Sequence, residues 1–472
     1  MEQLVSKENK LGTAPISKLL RTFAIPSIIS MVVNALYNIV DQIFIGQGVG
    51  YLGNAATNVI FPMTVIVMAF ALLIGDGTAS FFSLKLGQKD MESAQKGVNN
   101  GFSLLLILGV AFLVIGLAFI EPLARFSGAT DNVLPYAKEY GGIIALGYPF
   151  VIISTGLNSI LRADGSPRIA MVSMIVGAVT NTILDPIFIF VFGWGVQGAA
   201  LATIIGQGLS FAISLYYVLR LKHVKIRRKD MKLSGKVTKT IAGYGVSSFI
   251  TQIAITASIL VMNNVLVKYG AASSYGEDIP LAALGIVMKV NQILISCVIG
   301  TAVGAQPIIG YNYGAGKLDR VKKTLFTTIG IAIIITTVGF VMFQFFPQAI
   351  ISLFGQESVL YNEFAQKCFR IFLMFCIPAG FQQVSGVFFQ SIGKPVKAAI
   401  ITLSRQILIL IPAVLILPRL IGLDGVLWAG PLADIVSFAM AFILIAMEIR
   451  RINKTIQENT LTEGLLMEKG AA

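Results

Sequence analysis

Long apolar runs recur along this 472-residue chain, each of the roughly 20 residues or more that crosses a bilayer. No other feature constrains the fold as much. Inside hydrocarbon every backbone N–H and C=O must find its partner within the segment, so such a chain folds as a bundle of spanning helices. About twelve spans are expected, over residues 16–42, 54–85, 92–120, 134–160, 168–192, 196–221, 237–268, 279–310, 318–346, 359–391, 395–418 and 423–449. Only 12% of residues are charged, against about 25% in soluble proteins, which leaves no room for a sizeable soluble domain.

The net charge of +13 raises the question of nucleic acid, but the basic residues sit in short loops. Lys7/Lys10/Lys18, Lys85/Lys89/Lys96, Arg162/Arg168, the 220–239 region, Lys317/Arg320/Lys322/Lys323, Lys394/Lys397 and Arg450/Arg451/Lys454 mark one side of the membrane. The loops at 43–53, 192–197 and 347–358 carry no Lys or Arg, with Lys268 and Arg419 as isolated exceptions. The positive-inside rule then puts both termini in the cytoplasm. Nucleic acid is not an expected partner; membrane lipid is.

The basic stretch LRLKHVKIRRKDMKLSGK at 219–236 divides the chain into halves of about six spans that echo each other. GTASFFSLKLGQKD (77–90) aligns with GAQPIIGYNYGAGK (304–317), RADGSP (162–167) with QSIGKP (390–395), and GWGVQGAALA (193–202) with LIGLDGVLWA (420–429), at an offset near 227 residues. An even number of spans separates the copies, so both halves share one topology and are related by an axis along the membrane normal. The expected organisation is a cytoplasmic N-terminal segment (1–15), an amino lobe (16–222), a basic linker (223–236), a carboxy lobe (237–449) and a cytoplasmic tail (450–472).

Two carboxylates interrupt the apolar runs of the amino half, Asp41 and Asp185. A carboxylate at membrane depth costs a few kcal/mol or more and is kept where it faces a polar cavity. Asn34, Tyr37 and Asp41 share one face of the first span, Asn181 and Asp185 are i and i+4 on the fifth, and Thr203 enters the sixth at a similar depth. Two carboxylates, an amide and a hydroxyl suit a hard monovalent cation, and neighbouring carboxylates equally suit a shared proton. The expected site is therefore Asp41, Asn181, Asp185 and Thr203 for Na⁺ or H⁺. Asn34 and Tyr37 are expected to line the substrate cavity, with Asn34 and Asn38 alternatively serving as helix–helix glue. Pro26 and Pro186 each leave a carbonyl without its helical donor, and Pro26 is the expected bending point of the first span.

The carboxy half differs. Its membrane charges are Lys289, Arg405 and Asp434, two cations and an anion that are expected to form a salt-bridged network. Asp76 is expected near the inner vestibule, and Asp164 in a turn. Cys297, Cys368 and Cys376 show no metal-ligand spacing and read as reduced thiols. A lone histidine, His223, leaves no constellation for a zinc-type membrane hydrolase, so an enzyme is not expected and no cofactor is called for.

Together, IPSIISMVVNALYNIVDQIFIG, GDGTASFFSLKLGQKD, LRADGSPRIAM, NTILDPIFIF, GVQGAALAT and RQILILIPAVLILP resemble the multidrug and toxic compound extrusion (MATE) family over roughly residues 15–450. The resemblance implies an all-α polytopic fold of about twelve transmembrane helices in two pseudo-symmetric six-helix lobes. It also implies export of amphipathic, often cationic drugs or toxins across a prokaryotic plasma membrane, by antiport against H⁺ or Na⁺. The family's amino-lobe cation site maps onto Asp41, Asn181, Asp185 and Thr203, with Tyr37 nearby and Pro26 as the bending position. Acidic residues that some members carry in the seventh and tenth spans are absent from 237–268, and Glu363 only begins the tenth. Coupling is therefore expected in the amino lobe of a monomer. A related lipid-linked saccharide flippase, with extra spans and a more basic cavity, is the alternative.

Overall fold

The computed structural model describes residues 9–49, 51–276, 278–352 and 358–470, and among these every regular element is helical. The amino half contributes α1 (Ile16–Val49), α2 (Tyr51–Gly87), α3 (Met91–Ala118), α4 (Leu134–Ala163), α5 (Pro167–Pro186) and α6 (Gly195–Val218). The carboxy half contributes α7 (Gly235–Ala271), α8 (Asp278–Gly314), α9 (Leu318–Phe345), α10a (Val359–Phe372), α10b (Cys376–Ser391), α11 (Pro395–Ile421) and α12 (Asp424–Gly470). Eleven of these helices are long and apolar enough to cross a membrane, or twelve with α10a and α10b taken as one span.

That tenth span, expected as one run over 359–391, is bent by 53° at its break between Phe372 and Cys376. α11 widens to a π-helical turn at Ser404–Leu410, and α5 passes into another at Ile187–Val191, directly after Pro186. A proline within a helix removes one backbone bond, and an inserted residue in a wide turn accommodates the slack. The expected tail beyond residue 449 continues α12 as helix as far as Gly470.

Helix neighbours repeat between the halves. α1 packs on α5, α2 on α4, α4 on α6 and α5 on α6, just as α7 packs on α11, α8 on α10b, α10b on α12 and α11 on α12. Across the middle α1 meets α8 and α2 meets α7, the reciprocal pairing that a two-fold relation between the halves demands. Left-handed backbone turns recur in register as well: Lys89 with Gly316, Gly165 with Gly393, and Gly195 with Gly422. The repeat legible in sequence is thus a repeat of folded lobes.

Among the described residues, the closest backbone approaches between the lobes lie toward one end. A Cβ on Gly300 would fall 2.5 Å from Ile28 Cα, and one on Gly304 2.5 Å from Ala24 Cα, so α8 lies backbone to backbone against α1. Gly245 of α7 similarly abuts the Leu73 carbonyl of α2. Small residues at membrane interfaces permit this approach and the dispersion contact it brings. Among the described residues, the hydrogen bonds between the lobes lie in this same half, nearest the basic linker. The largest apolar core spans both lobes there and continues to the far end of the amino lobe at Ile60, Ala124 and Leu134, whereas the far half of the carboxy lobe has a core of its own. The molecule is closed at the linker end and parted at the other.

The linker is fastened to the amino lobe. Asn99, Asn100 and Ser103 of α3 hydrogen-bond backbone groups of residues 225–234. Asp164, expected as a plain turn residue, accepts from the backbone N–H of Lys222 at 2.7 Å and of His223 at 3.2 Å, and faces His223 Nδ1 at 2.9 Å. The single histidine is a strut, its other ring nitrogen lying 3.2 Å from Asn9 Nδ2. The far end carries more basic residues than the loop tally anticipated, Arg125, Lys138 and Lys367 among them, each paired with Glu121, Asp131 or Asp424.

Candidate functional site

The amino-lobe oxygens expected to hold an ion do converge. Close packing of α5 on α6 sets the geometry: a Cβ on Gly206 would lie 2.5 Å from the Gly177 carbonyl and 3.3 Å from Asn181 Cβ. With no side chain there, α6 approaches until Asn181 Nδ2 donates to Thr203 Oγ1 at 3.2 Å and to Asp185 Oδ1 at 3.2 Å. Asp185 is fully buried and Asn181 nearly so. Asp41 reaches in from α1, and its carboxyl faces that of Asp185 at interaction range.

Three buried oxygens in this group have no hydrogen-bond partner: Asp41 Oδ1, Asn181 Oδ1 and Asp185 Oδ2. Buried acceptors left bare cost about 1–3 kcal/mol each, and more when charged. Three such acceptors stand here on neighbouring residues. No group of three or more His, Cys, Asp or Glu that could hold a metal ion occurs among the described residues.

Helix geometry fixes which way the site faces. Ile28 of α1 points at the carboxy lobe through Gly300. At 3.6 residues per turn, Asn34, Tyr37 and Asp41 lie about 120° or more around the helix from it, toward the interior of the amino lobe. Tyr37 and, from α4, Tyr140 lie within electrostatic range of both carboxyls. Tyr140 escaped the sequence reading because nothing in its own spacing links it to Asp41. Asn38 Nδ2 donates to the Asn34 carbonyl of its own helix at 2.7 Å. Pro26 lies in the stretch of α1 clamped by α8, where Ser27 and Ser30 hydroxyls bond the carbonyls of Phe23 and Pro26, both at 2.8 Å.

The expected carboxy-lobe network is a pair. Arg405 Nε donates to Asp434 Oδ1 at 2.7 Å, while Lys289 joins no ion pair among the described residues. A second polar chain, which the sequence did not disclose, crosses the closed end. Arg162 of α4 donates to Ser159 Oγ at 2.9 Å, and Ser159 donates to Asp76 Oδ1 at 2.8 Å. Ser248 of α7 donates to Asp76 Oδ2 at 2.8 Å and accepts from Gln390 of α10b at 3.0 Å. Arg162, counted as a loop charge from sequence, is buried in this chain of contacts. Asp76 ties the two lobes together.

Two six-helix lobes closed at one end and parted at the other, with bare oxygens buried inside the amino lobe, define a polytopic membrane transporter. Comparison with known proteins supplies the family. The MatE profile matches residues 26–187 and 248–416, and the chain belongs to the MATE family of transporters. The multidrug export protein MepA of Staphylococcus aureus is 26% identical over 456 residues, covering 96% of this chain and 98% of that one. A FAD transporter of Shewanella oneidensis is 25% identical over 433 residues, covering 90% and 93%. A multidrug resistance MATE transporter of the MOP superfamily, solved in an outward-facing conformation, superposes with a TM-score of 0.88 at 27% identity, covering 94% of this chain and 98% of that one.

Proposed function

We propose that this chain is a secondary active exporter that moves amphipathic small molecules outward in exchange for H⁺ or Na⁺ entering through Asp41, Asn181, Asp185 and Thr203. The observation that carries this reading is the set of bare buried oxygens on Asp41, Asn181 and Asp185. The likeness to MepA, named as a multidrug export protein, supports the cargo class. The basic linker side is cytoplasmic on the positive-inside rule, both termini with it, in the plasma membrane of a prokaryote. The lobes run over 16–222 and 237–449, joined by 223–236, in a monomer that needs no cofactor.

Coupling follows from charge. Asp41 and Asp185 repel when both are ionised, which favours an α1 that stands off α5. A proton or Na⁺ between them reverses the sign and draws the far half of α1 inward. Pro26 lies between the clamp contacts of Gly304 at Ala24 and Gly300 at Ile28, just before that half leaves the clamp. The cation shifts the equilibrium only by its differential affinity for the two arrangements. Transport into inverted vesicles under separately imposed pH and Na⁺ gradients tests the reading with Asp41→Asn and Asp185→Asn. Loss of gradient-driven uptake in each is expected; undiminished uptake in both removes the amino-lobe site from the mechanism.

A further inference from the structure

Lys289, Gln292, Ser296, Gly300 and Gly304 recur at three- and four-residue spacing, so they form one stripe along α8. At the closed end this stripe meets the amino lobe: Gly304 against Ala24 and Gly300 against Ile28. Further from the linker the lobes part, and the stripe continues into the cleft. Gln292 is exposed there and Lys289 half-buried, and a Cβ on Gly285, one turn beyond, would touch nothing within 4 Å. The equivalent stripe of α7, above Gly245, carries Gln252, Thr256 and Asn263. The carboxy-lobe wall of the cleft is polar, and its only charge on these two stripes is a cation.

Among the described residues, no carboxylate of its lobe pairs with that cation. Arg405 holds Asp434, Lys394 and Lys397 hold Glu448, and Lys367 holds Asp424. Other described carboxylates of the lobe lie at its ends. Asp41 and Asp185 turn into the amino lobe, on the far side of α1 from the cleft. An ammonium group at membrane depth without a carboxylate is retained where it meets a ligand.

We propose that Lys289, with Gln292 beside it, forms an anion subsite in the interlobe cleft, so that molecules exported by this chain carry an acidic group, a carboxylate or phosphate, on an amphipathic body. This deepens the exporter reading and rests on it. The amino lobe selects the ion, and the carboxy-lobe wall selects the acid.

The test is binding to the full-length protein in phosphatidylcholine nanodiscs, followed by fluorescence anisotropy. The probes are norfloxacin, which bears a free carboxylate, and its methyl ester. Wild type is expected to prefer the acid by up to about fivefold, the upper end of what an exposed or half-buried ion pair gives. Lys289→Gln is expected to erase the preference and Lys289→Arg to keep most of it. An unchanged acid-to-ester ratio in Lys289→Gln overturns the proposal, as does a wild type that binds the ester as well as the acid or binds neither. Loss of the preference when phosphatidylglycerol is added assigns the site to a lipid phosphate and overturns the cargo assignment. Failure of the exporter reading registers separately, as absence of gradient-driven transport with the acid-to-ester ratio intact.

Discussion

The hydroxyl of Ser248 makes the most informative single perturbation. It donates across the lobe boundary to Asp76 Oδ2 at 2.8 Å, in the half of the molecule that is closed. Ser248→Ala removes that bond while keeping the helix and nearly all the packing. A hydrogen bond to a carboxyl group contributes about 1–3 kcal/mol. In the alternating-access reading only the arrangement closed at the linker end has this bond, so the variant shifts the lobe equilibrium by roughly 5- to 150-fold toward linker-end opening. Another interlobe bond, from Gln306 to Ser80 at 3.0 Å, remains and keeps the shift finite. Electron–electron resonance distances between spin labels at Gln88 and Lys323, exposed at the linker end of opposite lobes, read it directly once the native cysteines are replaced by alanine. Thr251→Ala is the control, since its 3.1 Å contact with Thr402 lies within one lobe. The longer-distance population should grow in Ser248→Ala and not in Thr251→Ala. Equal behaviour of the two variants refutes the latch.

Three further outcomes follow from the packing and the site. Gly206→Ala puts a methyl 2.5 Å from the Gly177 carbonyl, and should lower stability by about 1–3 kcal/mol in thermal melts while weakening ion dependence, because Thr203 moves with α6. Thr203→Val removes an acceptor of Asn181 Nδ2 and should weaken coupling-ion affinity about fivefold in ion-titrated transport, with Thr203→Ser close to wild type. Arg405→Leu leaves nearly buried Asp434 alone and should cost about 3–5 kcal/mol, much of it recovered by adding Asp434→Leu; an equally unstable double variant contradicts a paired origin for the loss.

Much of this was legible in the chain. Apolar length gave the spans, because a helix in hydrocarbon has little choice about how long it is. The repeated glycine turns gave the two lobes, and i, i+4 spacing with topological depth gathered Asp41, Asn181, Asp185 and Thr203. What stayed hidden depends on contacts between distant segments. The bend between α10a and α10b lies inside an unbroken apolar run, where hydropathy has no contrast. Arg162 reads as a loop charge until α4 is seen to extend and bury it against Ser159. Tyr140 acquires meaning only from α4 lying beside α1. The three carboxy-lobe charges look alike by depth, and only packing shows that Arg405 takes Asp434 and that Lys289 joins no ion pair among the described residues.

The central claim is that the coupling ion and the two amino-lobe carboxyls are one unit. Equilibrium binding of radioactive Na⁺ to purified protein, with proton release followed in parallel by a pH dye as drug is added, addresses it most directly. The account predicts that wild type takes up Na⁺ or releases protons in exchange for drug. It also predicts that Asp41→Asn and Asp185→Asn each abolish that exchange while the protein stays folded. Exchange at the wild-type level in both variants contradicts it.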